Sequence, residues 1–208
     1  MRLFKLLAIL VAVGFIFSVG TMCGEQGKAK TDQEKADTAE IKAPAKIFSY
    51  VGYKKCRPCH MQKKVGAQSA VWEAGPHAKA YTELASEHSL KVAKEMGLKE
   101  SPQESAQCLP CHVTAYEVAD SLKTKIVLEN GVSCETCHGP GSDYWKMTVM
   151  KDLRAGKKDP KAVGLREITE ELCVKCHNKN SPTYKPFKFA EAIKAIAHPY
   201  PPEEEKKK

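Results

Sequence analysis

The chain has 208 residues and a formal charge of +8, with 42% apolar and only 7% aromatic residues. That is enough length for one domain, but without long apolar periodic segments the polypeptide alone cannot wrap a large core. The positive excess invites a nucleic-acid or anionic-membrane reading, but the lysines read as a solvated face, and neither partner is expected.

The N-terminus carries Arg2 and Lys5, runs through small and apolar residues from Leu6 to Val19, and turns polar at Cys23-Gly24-Glu25. Residues 1–22 are expected to be a secretory signal peptide, the apolar run being too short for a stable spanning helix. Cys23, the odd cysteine, stands where a bacterial lipoprotein carries its acylated residue. Met22 is larger than the small residue usual before that cysteine, so cleavage after Gly20 is the rival to a lipid anchor through Cys23. Export would place the product in the periplasm, on the outer membrane or outside a bacterial cell. Residues 23–46 are rich in Lys, Glu, Asp, Gln, Thr and Ala, bury too little to offset their ordering entropy, and read as a flexible tether. The folded domain is then 47–200, with 201–208 a charged tail.

Within that domain stand four Cys-x-x-Cys-His pentapeptides: Cys56, Cys59 and His60; Cys108, Cys111 and His112; Cys134, Cys137 and His138; Cys173, Cys176 and His177. Two thiols three residues apart on the turn that opens a short helix add to the two vinyl groups of one haem, and the next imidazole faces the iron. A zinc site needs no histidine directly behind the second cysteine, and a redox dithiol sits in a βαβ pattern that is missing here. The motifs predict four covalent c-type haems, which would themselves form the core, so that the apo-chain should be largely unfolded. With the leader gone and two propionates on each haem, the net charge falls to about +2 oxidised and about −2 reduced. The irregular motif spacing shows no repeat.

Between Pro76 and Gly97 lies the longest helical candidate, opened by proline and stopped by glycine, with Ser86 to Ser89 a candidate break. His77, Tyr81, Leu84 and His88 would share one face of it, and two ligands on one rod would serve two irons. The plainer alternative leaves His77 as the only ligand there, with His88 on the surface beside Glu87. Ser101-Pro102-Gln103-Glu104 has the form of a capping box that starts a helix. Ile126 to Glu129, Asn130-Gly131 and Val132 read as a short β-hairpin between the second and third motifs. Met147 and Met150, one helical turn apart, are either thioether ligands or core filling. Thr169 opens a helix that delivers Cys173, and Phe187, Phe189, Ala190, Ile193 and Ile196 mark an apolar helix face ending at His198. The fold class expected is mainly α with extensive irregular loops, a haem-dominated core and at most one short hairpin. His77, His88 and His198 are the only imidazoles outside the motifs. Three do not cover four irons, so at least one haem takes methionine, a ligand from another chain, water, or nothing.

Gly75-Pro76-His77-Ala78-Lys79-Ala80, Cys111-His112-Val113, Gly131-Val132-Ser133-Cys134 through Cys137-His138-Gly139-Pro140-Gly141, and Phe187-Lys188-Phe189 leading to His198 resemble the tetrahaem cytochromes of the cytochrome c-554 type. These are electron acceptors of hydroxylamine oxidoreductase in ammonia-oxidising bacteria. The resemblance implies a mainly helical fold with haems in stacked and near-perpendicular pairs, three of them bis-histidine and the second open. It implies that His77 completes the third haem opposite His138, that His198 completes the fourth opposite His177, and that His112 holds the open iron. At the first haem the chain departs from the family. No histidine follows Gly141 before His177, which leaves Met147, Met150, His88 or an open position for that iron.

Electron transfer between a redox protein donor and acceptor is the leading reading. An enzymatic alternative reduces a small nitrogen oxide at an open haem, although no acid/base pair is evident for it. A third is self-association into a haem filament, with a histidine such as His88 given to a neighbour.

Overall fold

The computed structural model describes residues 46–201. The expected signal peptide, Cys23, nearly all of the expected tether and all but the first residue of the expected tail lie outside the described residues. Helix α1 (Tyr53–His60) starts after Gly52, and its last turn carries Arg57 and His60, which complement the negative end of the helix dipole. Helix α2 (Gln68–Ala74) packs beside it. The rings of Tyr53 and Trp72 lie 4.4 Å apart, and Glu73 accepts hydrogen bonds from the Tyr53 hydroxyl at 2.6 Å and the Arg57 Nε at 2.9 Å. Burial and this carboxylate push the Tyr53 hydroxyl up to about 12.

The predicted rod from Pro76 to Gly97 is broken. A single 3₁₀ turn at His77–Lys79 runs into the short helix α3 (Ala80–Glu83), and helix α4 (Glu87–Glu95) begins anew. Ser86 causes the new start: its hydroxyl accepts the Ser89 N–H at 3.1 Å as an N-cap. The shared face therefore fails, with Leu84 buried in the core and His88 exposed.

The capping box at Ser101 is likewise a turn and not a helix. Its side chains meet each other, Ser101 Oγ donating to Glu104 Oε2 at 3.0 Å. The chain then tightens so that the Cys108 and Leu109 N–H groups both donate to the Ser105 carbonyl at 3.0 Å, which leads into α5 (Leu109–His112).

No strand occurs among the described residues, and the hairpin at 126–132 is corrected to a 3₁₀ turn, Leu128–Asn130, ended by Gly131. Its edges bond to other segments instead of to each other. The Val132 N–H donates to the His77 carbonyl, and the Gly131 carbonyl accepts the Thr114 N–H, both at 3.0 Å.

Helices α6 (Cys134–His138), α7 (Met147–Arg154), α8 (Glu170–Cys173) and α9 (Phe189–Ile196) complete the order. The fold is mainly helical with long irregular connections. Its apolar core is small: Leu84, Leu109 and Val113 cluster, with Tyr81, Cys108 and Tyr116 against them. The largest fully buried side chains are polar, namely Glu135, Thr114, Ser69 and Ser105. Among the described residues no helix is long and apolar enough to cross a membrane.

Candidate haem-binding site

Each motif sits on a helical turn. Cys56, Cys59 and His60 lie on α1; Cys108 precedes α5, which carries Cys111 and His112; Cys134, Cys137 and His138 span α6; and Cys173 ends α8, with Cys176 and His177 on the turn that follows. All eight thiols are half-buried and form no disulfide. No three Cys, His, Asp or Glu side chains among the described residues gather into a metal-ion cage, as a closed zinc site would require.

The thiols also report how the motifs neighbour one another. Contact with Cys134, burial and the nearby Glu135 charge push the Cys56 thiol up, while the same contact lowers Cys134. Burial and then Cys173 raise Cys137. Burial and then Cys111 push Cys176 up to about 12. In space the motifs thus follow the order first, third, fourth, second.

Two pairs of imidazoles face each other. His77 and His177 have ring centroids 6.0 Å apart, as do His138 and His198. An iron held between two ring nitrogens by bonds of roughly 2 Å sets the centroids roughly 6 Å apart, so each pair fits a six-coordinate haem iron. Burial, and then the facing imidazole, lower both His77 and His138, the latter to about 4. The rings are thereby kept neutral, as ligation needs.

Second partners orient several rings through Nδ1, which leaves Nε2 toward the site. His112 bonds the Ala80 carbonyl at 2.7 Å, His198 the Ile196 carbonyl at 2.8 Å, and His60 the Gln68 Oε1 at 3.2 Å. Phe187 stacks on His177 at 4.9 Å.

The pairing differs from the one the resemblance implies: His77 meets His177 instead of His138, and His198 meets His138 instead of His177. The His112 Nδ1 bond to the Ala80 carbonyl holds the His77–Ala80 segment beside the second motif, and the Val132 N–H bond to the His77 carbonyl ties it to the approach of the third. The C-terminal segment crosses to α7, where Arg154 lies over the Tyr200 ring at 3.2 Å. It also runs so close to Gly66 that a side chain there would strike the Pro199 carbonyl.

His60 and His112 belong to neither pair. Met147 is 59% exposed at the start of α7, Met150 is half-buried one turn on, and His88 is exposed on α4.

Sequence reasoning missed the polar clamps between motifs. Glu135, 1% exposed, accepts from the Val51 and Gly52 N–H groups at 2.9 and 2.7 Å, just ahead of the first motif. It also accepts from Gly141 at 2.7 Å, just after the third. The Thr114 hydroxyl, behind the second motif, donates to the Gly131 carbonyl at 3.0 Å and accepts from the Ser133 N–H at 2.8 Å and from Thr136 at 2.9 Å. The Tyr144 hydroxyl donates to the Gly139 carbonyl at 2.6 Å and is pushed up by burial and then by Glu135. A charged residue inside a motif, such as Glu135, was the one visible signal.

Residues 55–139 match the family model described as cytochrome c554 and c-prime. Cytochrome c-554 of Nitrosomonas europaea is 29% identical over 140 residues, which cover 62% of this chain and 57% of that relative. The chain thus matches a little over half of that relative's length. In fold, the solved reduced state of cytochrome c554 from Nitrosomonas europaea is similar at a TM-score of 0.53 and 24% identity, covering 74% of this chain and 86% of that one. Residues 55–139, which hold the first three Cys-x-x-Cys-His motifs, are thus similar in sequence to the cytochrome c554 family, and across 74% of its length the chain has a cytochrome c554-like fold.

Proposed function

We propose that the protein carries electrons between two redox proteins outside the cytoplasm, through four covalently attached haems. The observation that carries this reading is the pair of facing imidazole sets at 6.0 Å, each containing one motif histidine and one histidine from a distant segment. A bound haem supplies an iron that alternates between ferric and ferrous.

The residues do the rest. The eight motif cysteines would anchor the porphyrins, and His60, His112, His138 and His177 would each offer an imidazole to an iron. His77 and His198 would supply the second imidazole of two of the sites, facing His177 and His138. The Nδ1 bonds to Ala80, Ile196 and Gln68 fix ring orientation, so that a change of oxidation state meets preset ligands. The thiols of neighbouring motifs touch, Cys56 with Cys134 and Cys176 with Cys111, so haems held there would lie close enough to exchange electrons. Exposed lysines suit an acidic partner and act on encounter rate more than on fold.

A second reading rests on His60 and His112 standing outside both facing pairs: an iron held by either ring would lack a second imidazole from those pairs and would be the place for a small nitrogen oxide to bind. Stopped-flow spectroscopy separates the two. As a carrier, the reduced protein is reoxidised by a second redox protein and binds nitric oxide without turning it over. Catalytic consumption of nitric oxide or hydroxylamine contradicts the carrier reading. A chain that stays monomeric on sizing removes the filament.

A further inference from the structure

We infer that Glu135 is a positioning residue for the first and third haem sites, a buried anion that clamps the two motifs together and holds down the reduction potential beside it. This rests on the haem reading above and adds a residue to it.

The geometry is specific. Glu135 lies between Cys134 and Cys137 in the third motif, yet its carboxylate points away to the approach of the first. Oε1 takes the N–H groups of Val51 and Gly141, and Oε2 that of Gly52. All three donors are backbone, and the carboxyl uses both of its oxygens, which is the set a carboxylate anion takes. A carboxamide would aim two N–H donors of its own into the same nest. Gly52 is the residue ahead of α1, so the bond fixes where the helix bearing Cys56, Cys59 and His60 begins.

The same side chain also binds Gly141, ahead of the Tyr144 that closes the third motif's exit. The clamp therefore spans the Cys56 and Cys134 contact. Its full burial makes its charge count: water cannot screen it, and an anion beside a haem disfavours the added electron. A purely structural clamp would tolerate any acceptor of the same shape, whereas a charge acts on potential.

The experiment compares exported wild type, Glu135→Gln and Glu135→Asp. Intact mass first counts the haems, and spectroelectrochemical titration then resolves their potentials. In Glu135→Gln the one-electron reduction constant of at least one haem should rise about ten-fold, equal to about 59 mV. In Glu135→Asp, which keeps the charge, it should move less than three-fold. The Gln shift should persist at high salt, as expected of an unscreened charge.

All potentials within two-fold of wild type in Glu135→Gln, or equal shifts in the two variants, overturn the inference while leaving the haem reading intact. Wild type lacking haem at the first or third motif overturns both. Should Glu135→Gln fail to mature, infrared difference spectra of wild type carrying ¹³C-labelled glutamate decide. A carboxylate stretch that shifts on reduction supports the inference, and its absence overturns it.

Discussion

The sharpest consequences of the structure fall on single imidazoles. Replacing His198 by alanine removes the partner of His138, and replacing His77 removes that of His177. Each variant should convert one haem from low-spin to high-spin in electron paramagnetic resonance of the oxidised protein, and added imidazole should restore it. Unchanged low-spin intensity in either variant would refute the pairing. His138 also gives a pH expectation. Its native value, lowered to about 4 by burial and then by His198 and His60, lies below the ordinary histidine value of about 6.5. The unfolded chain therefore takes the proton first as pH falls. The contribution is complete above about 6.5 and is lost as pH drops through about 4. A Soret titration should keep the low-spin band of this site at pH 5, and loss with a midpoint near 6.5 would argue against the buried neutral ring. At this scale the motifs were legible because the chemistry is local, five consecutive residues on one turn. The partners of the motif histidines were not legible, because His77 and His177 are a hundred residues apart in sequence and meet only through the folding of the loops between them.

Among the elements, the loops between motifs carry the ordering. Gly131 has φ 56°, and a side chain there would meet the His77 carbonyl oxygen at 2.6 Å. Gly131→Ala should therefore strain the backbone and shift His77, lowering the melting temperature and raising the high-spin fraction together. A melting temperature equal to wild type would show that this close approach is not needed. Thr114→Val keeps the shape but strands the Ser133 N–H and frees the Thr136 hydroxyl. It should cost about 2 kcal/mol in chemical denaturation of the holoprotein. Thr169 and α8 were readable because cap and helix are adjacent, and Ser86 was readable as a break for the same reason. Asn130-Gly131 turned the chain as its composition requires but made no hairpin, since the flanking residues gave their backbone bonds to His77 and Thr114. The capping box at Ser101 failed because its two side chains satisfied each other.

At the scale of the domain, the eight buried apolar residues among the described ones, three of them clustered, beside a fully buried glutamate, threonine and serines, give too little hydrophobic surface to hold a domain of this length. Protein made without haem attachment should therefore show no cooperative thermal transition, measured by circular dichroism, whereas the matured protein should melt cooperatively. The low aromatic content and the absence of long periodic segments made this visible in the sequence. The spatial order of motifs did not follow from their order in the chain. The central claim is that four pairs of sulfurs bind four porphyrins. Intact mass of the exported protein tests it most directly. The account requires four covalent haem additions to the processed chain, and a spectrum showing three or fewer, with a Cys-x-x-Cys-His pair left as free thiols, contradicts it.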